Sequence, residues 1–284
     1  MIRATLMIQS QHATERQLRR VERLLRDRKF RDTQQQFVVE GVANFLRLVT
    51  CGFSISAVLR SRALLKNGAC RKALADLQKK GVTVTSLSPE QFRSVGRLKH
   101  ASGILAIAQQ HRPAIAELVP VRCCLAVSHV RSRGNFGTLV RSAAAFGADG
   151  IILIGQSVDP HDPDVIRSSM GTSFQIPFYR TSWPGFSDWT QRRQISVIGG
   201  CPSAAQDVAN TDLTGPVVFM LGDERKGLSS RQRKHCHQFA NIPMADGIDS
   251  LNLGVAGSLL AYEHQRQRSR SAASAEQTSP RQSG

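Results

Sequence analysis

Two α/β domains, the second built on a parallel sheet, are what this sequence predicts, and three observations carry that prediction. A chain of 284 residues with 41% apolar content can fill two hydrophobic cores. Strand-length apolar runs alternate with helix-length segments, most regularly after residue 120. The runs "CCLAV", "GIILI" and "VVFML" are apolar without alternation, as strands covered on both faces are.

Residues 14–31 read as a basic amphipathic helix, with Leu18, Val21, Leu24 and Leu25 on one face and Arg16, Arg19, Arg20, Arg23 and Arg26 around it. Such a helix either packs on the first domain or faces phosphate as an arm, and residues 1–32 are taken as an N-terminal extension. From 33 to 110 a small α/β domain follows. "QFVVEG" and "ISAVLR" are strands, "VANFLRLVTCG" and "RKALADLQKKG" are helices closed by Gly52 and Gly81, and "VTVTSL" and "GILAIAQQ" are further strands. The two prolines of "HRPAIAELVP" mark 111–120 as a linker.

In the second domain, 121–264, "RCCLAVSHV" is a strand, "NFGTLVRSAAAFGA" a helix and "GIILIG" a strand. "FQIPFYR", "QISVIGG", "PVVFML" and "FANIPM" are further strands, and "SLNLGVAGSLLAYEH" is the closing helix. Residues 265–284 are polar and expected to be disordered.

The formal net charge of +17, from 38 basic and 21 acidic residues, points to a polyanionic partner, nucleic acid before membrane. Six cysteines form no C-x-x-C pair, which suits reduced thiols in a cytosolic protein and no metal. No apolar run approaches the roughly 18 residues of a membrane helix, and no secretory signal pattern opens the chain. A cytoplasmic location is expected.

Several common sites are missing: no G-x-G-x-x-G, no G-x-x-x-x-G-K-[ST], no H-E-x-x-H and no G-x-S-x-G occurs. What remains is a set of polar residues and glycines after separate apolar strands: Asn135, Gly137 and Arg141; Gly222, Glu224 and Gly227; Ser250 and Asn252. Singly, each has an ordinary explanation, with Asn135 and Asn252 as helix caps, the glycines as turn residues and Arg141 as a surface arginine. Jointly they stand where open α/β sheets bind ligands, beyond the carboxyl ends of strands.

These segments resemble the three motifs of the SPOUT superfamily, specifically the SpoU/TrmH-type RNA ribose 2′-O-methyltransferases. "GNFGTLVRSAAAFGADGIIL" resembles the first motif, "FMLGDERKGLS" the second and "IPMADGIDSLNLGVAGSLLAYE" the third, while "DPDVIRSSMGTSFQIP" resembles the segment after the first. "FVVEG" and "HASGILAIA" make the first domain look like the L30e-like substrate-binding domain of such enzymes. The resemblance implies a trefoil knot and a bent S-adenosyl-L-methionine held by Leu221, Gly222, Gly227, Ile242, Pro243, Met244 and Leu251, with Gly199 and Gly200 nearby. It implies a catalytic set of Arg141, Asn135, Glu224, Ser250 and Asn252, in which Arg141 stabilises the developing alkoxide, Asn135 positions ribose or phosphate and Glu224 orients either of them.

The activity implied is 2′-O-methylation of structured RNA, ribosomal before transfer RNA, by a homodimer packed through the third-motif helix. One departure stands at the site: Ser132 and Arg133 replace an Asp-Pro that the family often has there. The alternatives are an RNA-binding protein that keeps the knot without catalysis, and a base methyltransferase; the five polar residues speak against the first and the S-L-N third motif against the second. The first domain is expected to capture RNA while 121–264 performs transfer.

Overall fold

The computed structural model describes residues 2–155 and 157–278, with side chains described over 14–155 and 157–271. The chain divides into two compact units, Met1–Gln110 with Asp159–Phe174, and His111–Val158 with Gln175–Gly284.

The first unit opens with α1 (Ile2–Arg26) and α2 (Arg28–Gln34). Asp27 separates them, because its carboxylate accepts the Phe30 N–H and caps α2. The basic helix expected over 14–31 is therefore two helices, broken at Asp27. Val21, Leu24 and Leu25 are buried against Val38, Leu59, Phe92 and Leu105, whereas Arg16, Arg19, Arg23 and Arg26 remain exposed. Packing and an outward arginine face coexist on one helix.

The chain continues through β1 (Gln36–Glu40), α3 (Val42–Thr50), β2 (Ile55–Arg60), α4 (Gly68–Lys79), β3 (Thr83–Ser86), α5 (Pro89–Val95) and β4 (Ile104–Gln109). The sheet order is β1-β4-β2-β3, with β4 antiparallel to both neighbours and β2 parallel to β3. Sequence periodicity passed over α5, a helix of seven residues begun by the reciprocal capping box of Ser88 and Gln91.

The second unit carries β5 (Cys123–Val127), α6 (Arg133–Ala145) and β6 (Gly150–Ile154). Next comes α7 (Pro163–Ser168), within the segment that belongs to the first unit. Then follow β7 (Phe178–Thr181), α8 (Trp183–Arg192), β8 (Ser196–Gly200), β9 (Val217–Leu221), α9 (Ser230–His235), β10 (Gln238–Ala240) and α10 (Leu253–Thr278). Strand order is β10-β8-β9-β5-β6-β7, and every pairing is parallel. β5, β6 and β9 are buried at every residue, as their unbroken apolar runs require.

Four differences from the expected organisation have physical causes. Residues 159–174 were expected inside the second domain but complete the first unit's core, where Ile166 and Phe174 pack with Phe37, Phe45 and Leu48. Asp159 and Asp162 also face the buried Arg31 guanidinium, at 2.8 and 3.5 Å. Residues 111–120 are no free linker, since Leu118 is buried in the second unit's core. The expected strands "FQIPFYR" and "FANIPM" shrink to β7 and β10, with a 3-10 turn over Thr172–Phe174. Finally, α10 begins at Leu253 rather than Ser250 and runs on to Thr278, through most of the tail expected to be disordered; residues 279–284 lie outside the described residues.

Candidate active site and cofactor pocket

From β5 the chain adds β6 and β7 on one side, and it places β9, β8 and β10 on the other. The strand order thus reverses between β5 and β9, the point at which an open parallel sheet leaves a crevice beyond its carboxyl ends. The loops leaving these two strands are "SHVRS" and "GDERKGLS".

A directional chain of hydrogen bonds crosses that crevice. Asn135 Nδ2 donates to Glu224 Oε1 at 2.6 Å, and Asn252 Nδ2 donates to Asn135 Oδ1 at 2.8 Å. Asn252 Oδ1 accepts the Gly254 N–H at 2.9 Å, which caps α10. An ionised carboxylate only accepts, so Glu224 turns the Asn135 amide nitrogen toward itself. That leaves the Asn135 oxygen for Asn252, and the Asn252 oxygen for the helix terminus. Glu224 thereby sets the orientation of both amides. Its second oxygen accepts the Arg131 N–H at 3.1 Å.

Two local features free these side chains for the task. Ser132 Oγ accepts the Asn135 N–H and caps α6, so the expected departure at this position keeps the cap and relieves Asn135 of it. Asn252 both caps and bridges. In α10, a Cβ on Gly254 would lie 2.8 Å from the Asn135 carbonyl oxygen, and one on Gly257 would lie 2.1 Å from Leu139 Cδ1. Only glycines let α10 come this close to α6.

The turn after β9 is built by its own backbone. Asp223 N–H donates to Gly227 O and Gly227 N–H to Asp223 O, each at 2.9 Å, and Gly227 has φ +64°. A Cβ on Gly222 would stand 2.3 Å from the Gly227 carbonyl carbon. Gly222 is thus required by the closure of the turn, in keeping with its reading as a turn residue. Asp223 Oδ1 accepts the Arg225 and Lys226 N–H groups, and Oδ2 accepts Arg131 Nε. The N–H of Arg225, with those of Lys226 and the Arg131 guanidinium, outweighs burial and holds the Asp223 carboxyl at about 2.

Beside this turn lies a cavity of about 370 Å³. Leu221, Ile242, Leu251 and Leu260 supply apolar lining, while Glu224, Asp249, Arg225 and Lys226 supply charge of both signs. That combination suits a ligand with an apolar body and a zwitterionic end. Cys201 also lines it. Burial acts to raise its thiol, but hydrogen bonds from Ser203 and the Arg233 guanidinium hold it below its ordinary value.

Of the residues expected to hold the cofactor, Leu221, Gly222, Gly227, Ile242, Met244 and Leu251 line the cavity, as do Glu224 and Ser250 from the catalytic set. Pro243 is not among the lining residues. Gly199 faces Phe239 and Leu228, where a Cβ would stand at 2.7 and 2.9 Å, and Gly200 takes its place in the wall. Asn135 and Asn252 stand at the bridge. Arg141 is exposed on α6, six residues and about 240° of helical turn from Asn135. It is absent from the lining, so the structure does not bring it to the cavity with the others. Cys201, Asp249 and Leu260 were not anticipated; only their nearness to "IGG" and the third motif pointed toward them.

Among the described residues no helix is long and apolar enough to cross a membrane, and no group of three or more His, Cys, Asp or Glu side chains is placed to hold a metal ion.

Residues 122–262 match the SpoU rRNA methylase family, and residues 16–106 match the MRM3-like substrate binding domain. A 23S rRNA (uridine(2479)-2′-O)-methyltransferase of Streptomyces viridochromogenes is 29% identical over 254 residues, covering 86% of this chain and 88% of that protein. The 23S rRNA (guanosine-2′-O-)-methyltransferase RlmB of Coxiella burnetii is 30% identical over 197 residues, covering 66% and 78%. Two solved structures align with a TM-score of 0.80. One is an AdoMet-bound rRNA methyltransferase from Sinorhizobium meliloti, 27% identical over 88% of this chain and 94% of that one. The other is the SpoU methyltransferase AviRb from Streptomyces viridochromogenes with AdoMet, 28% identical over 89% and 97%.

Proposed function

We propose that this chain, which belongs to the SpoU rRNA methylase family, transfers a methyl group from S-adenosyl-L-methionine to a ribose 2′-hydroxyl of ribosomal RNA. The observation that carries the reading is the Asn252–Asn135–Glu224 bridge at the mouth of the 370 Å³ cavity. Three side chains held in one fixed polarity beside a ligand cavity suit the positioning of a reacting group better than simple binding.

Leu221, Ile242 and Leu251 would hold the apolar body of the cofactor, and the turn from Gly222 to Gly227 would form a backbone wall. When bound, it supplies an electrophilic methyl group. The protein's part is to bring a neutral hydroxyl into line and accommodate its developing charge. Asn135, locked by Glu224 and Asn252, positions the ribose. A guanidinium offers donors and no acceptor, so Arg141 acts as no base. It stabilises the alkoxide from the exposed side of α6, and the proton leaves to phosphate or water.

The same proposal includes the knotted threading of the second unit, a cytoplasmic setting and a homodimer. Val255, Leu259 and Tyr262 are 43, 39 and 48% exposed at positions i, i+4 and i+7 of α10, an apolar stripe that a second copy would cover. Mapping 2′-O-methylated positions in ribosomal RNA from cells with and without the gene tests the function. One position lost with the gene, and restored by the purified protein with S-adenosyl-L-methionine, is the expected result; an unchanged map would overturn it.

A further inference from the structure

The two loops of the crevice carry more positive charge at their rim than the bridge itself uses. His129 and Arg131 leave β5, Arg133 opens α6, and Arg225 and Lys226 leave β9, all of them exposed. Two of these side chains converge. Arg131 Nε lies 3.3 Å and His129 Nε2 3.7 Å from one oxygen, Oδ2 of Asp223. Their side chains are 48 and 57% exposed, that of Asp223 only 12%.

Asp223 does not need both partners, since its other oxygen already accepts two backbone N–H groups of its own turn. The carboxylate oxygen instead stands where an oxyanion from solvent would meet both the guanidinium and the imidazole. The covalent structure of RNA says which oxyanion that is. A ribose 2′-hydroxyl is vicinal to the 3′-oxygen, which carries the next phosphate. A hydroxyl held at Asn135 therefore brings its 3′-phosphate to the rim, and Arg131 is tied to the bridge because its N–H binds Glu224.

Resting on the proposed methyl transfer, we infer that Arg131 and His129 are the grip for the phosphate on the 3′ side of the reacting ribose. Asp223 is a positioning residue that parks both side chains until that phosphate arrives. Guanidinium and imidazole differ in how they hold a phosphate: the first offers a planar fork, the second a single directed donor. The contact carries no base information. It sets the register of the strand over the bridge.

The test compares the full-length protein with the doubly substituted His129→Ala/Arg131→Ala protein and with Arg131→Lys, using in vitro transcribed 23S rRNA. S-adenosyl-L-methionine affinity is read by calorimetry, RNA affinity by filter binding across a salt series, and methyl transfer by label incorporation. The double variant should bind RNA about tenfold more weakly at low salt. Its log–log salt slope should be shallower by roughly 0.7 to 0.9, the loss of about one phosphate contact. Its cofactor affinity should stay within about twofold, and Arg131→Lys should restore the slope with intermediate affinity, because the charge returns without the fork.

Unchanged RNA affinity and slope in the double variant would overturn the grip. Weakened cofactor binding with intact RNA binding would overturn it too, and would make the pair a clasp on Asp223. Wild-type protein that transfers no methyl group to the transcript bears on the proposed reaction instead, and the binding arm still decides the grip.

Discussion

Asn135 and Glu224, 89 residues apart in the chain, share a hydrogen bond of 2.6 Å across the crevice between β5 and β9. Glu224 lines the cavity proposed for the cofactor and Asn135 does not, which makes the two roles separable. Asn135→Ala should lower turnover on RNA by about 100-fold, the scale of a lost positioning contact, and leave S-adenosyl-L-methionine affinity within about threefold. Glu224→Gln should impair both, because an amide must turn a donor toward either Asn135 Nδ2 or the Arg131 N–H. Calorimetry and methyl-transfer assays on the same preparations check this. Equal effects of both substitutions on cofactor affinity would refute the division.

The two glycines of the β9 turn should respond differently. A methyl group on Gly222 meets backbone at 2.3 Å, whereas one on Gly227 meets nothing within 4 Å and faces only a φ of +64°. Gly227→Ala should then cost about 1–2 kcal/mol, the ordinary strain of a left-handed alanine. Gly222→Ala should cost more and abolish cofactor binding by opening the turn. Thermal unfolding with and without S-adenosyl-L-methionine ranks them.

Arg31 is 2% exposed and donates to Asp159 and to the Leu24 carbonyl. Arg31→Ala strands two carboxylates beside it and should destabilise the first unit by about 3–5 kcal/mol. Arg31→Lys should recover part of that. Denaturant unfolding followed by a probe in the first unit measures both.

Burial pushes the Glu40 carboxyl above its ordinary value, against the N–H groups of Arg97 and Leu98 that lower it. A carboxyl with a raised folded pKa binds its proton more tightly in the fold, so stability is full at low pH. It is lost as pH rises from the unfolded value, about 4.3, through the folded one. Glu40→Gln removes that loss. The stability of the variant relative to wild type should climb across this window and then level off; a pH-independent difference would show that Glu40 titrates as in the unfolded chain.

Leu259→Glu should place a charge in the α10 stripe and convert a dimer to the 31.1 kDa monomer in sedimentation at micromolar concentration. Wild-type protein that sediments at the monomer mass would remove the dimer from the proposal.

What the sequence made legible was whatever repeats locally. The apolar runs of β5, β6 and β9 announced buried parallel strands, and they are buried throughout. Helices α5 and α9 were passed over because seven and six residues are too few for a 3.6-residue period to register. Their Ser88–Gln91 and Ser229–Gln232 capping boxes were nonetheless written in the chain. The bridge from Asn252 to Asn135 spans 117 residues and the Arg31–Asp159 pair 128, separations that no local pattern encodes. The site residues were reached through their joint position at strand ends and through motif resemblance; the ion pair was not reached at all.

The return of residues 159–174 to the first unit has a consequence for biosynthesis. Ile166 and Phe174 belong to the core that Phe37, Phe45 and Leu48 begin, so the amino-terminal unit is unfinished when Gln110 leaves the ribosome. At roughly 5–20 residues per second, it waits several seconds for its last pieces, while β5, α6 and β6 emerge in between. Arg31 is made long before the carboxylates that will neutralise it. In the order of translation, the amino-terminal unit cannot be completed before synthesis of its neighbour has begun.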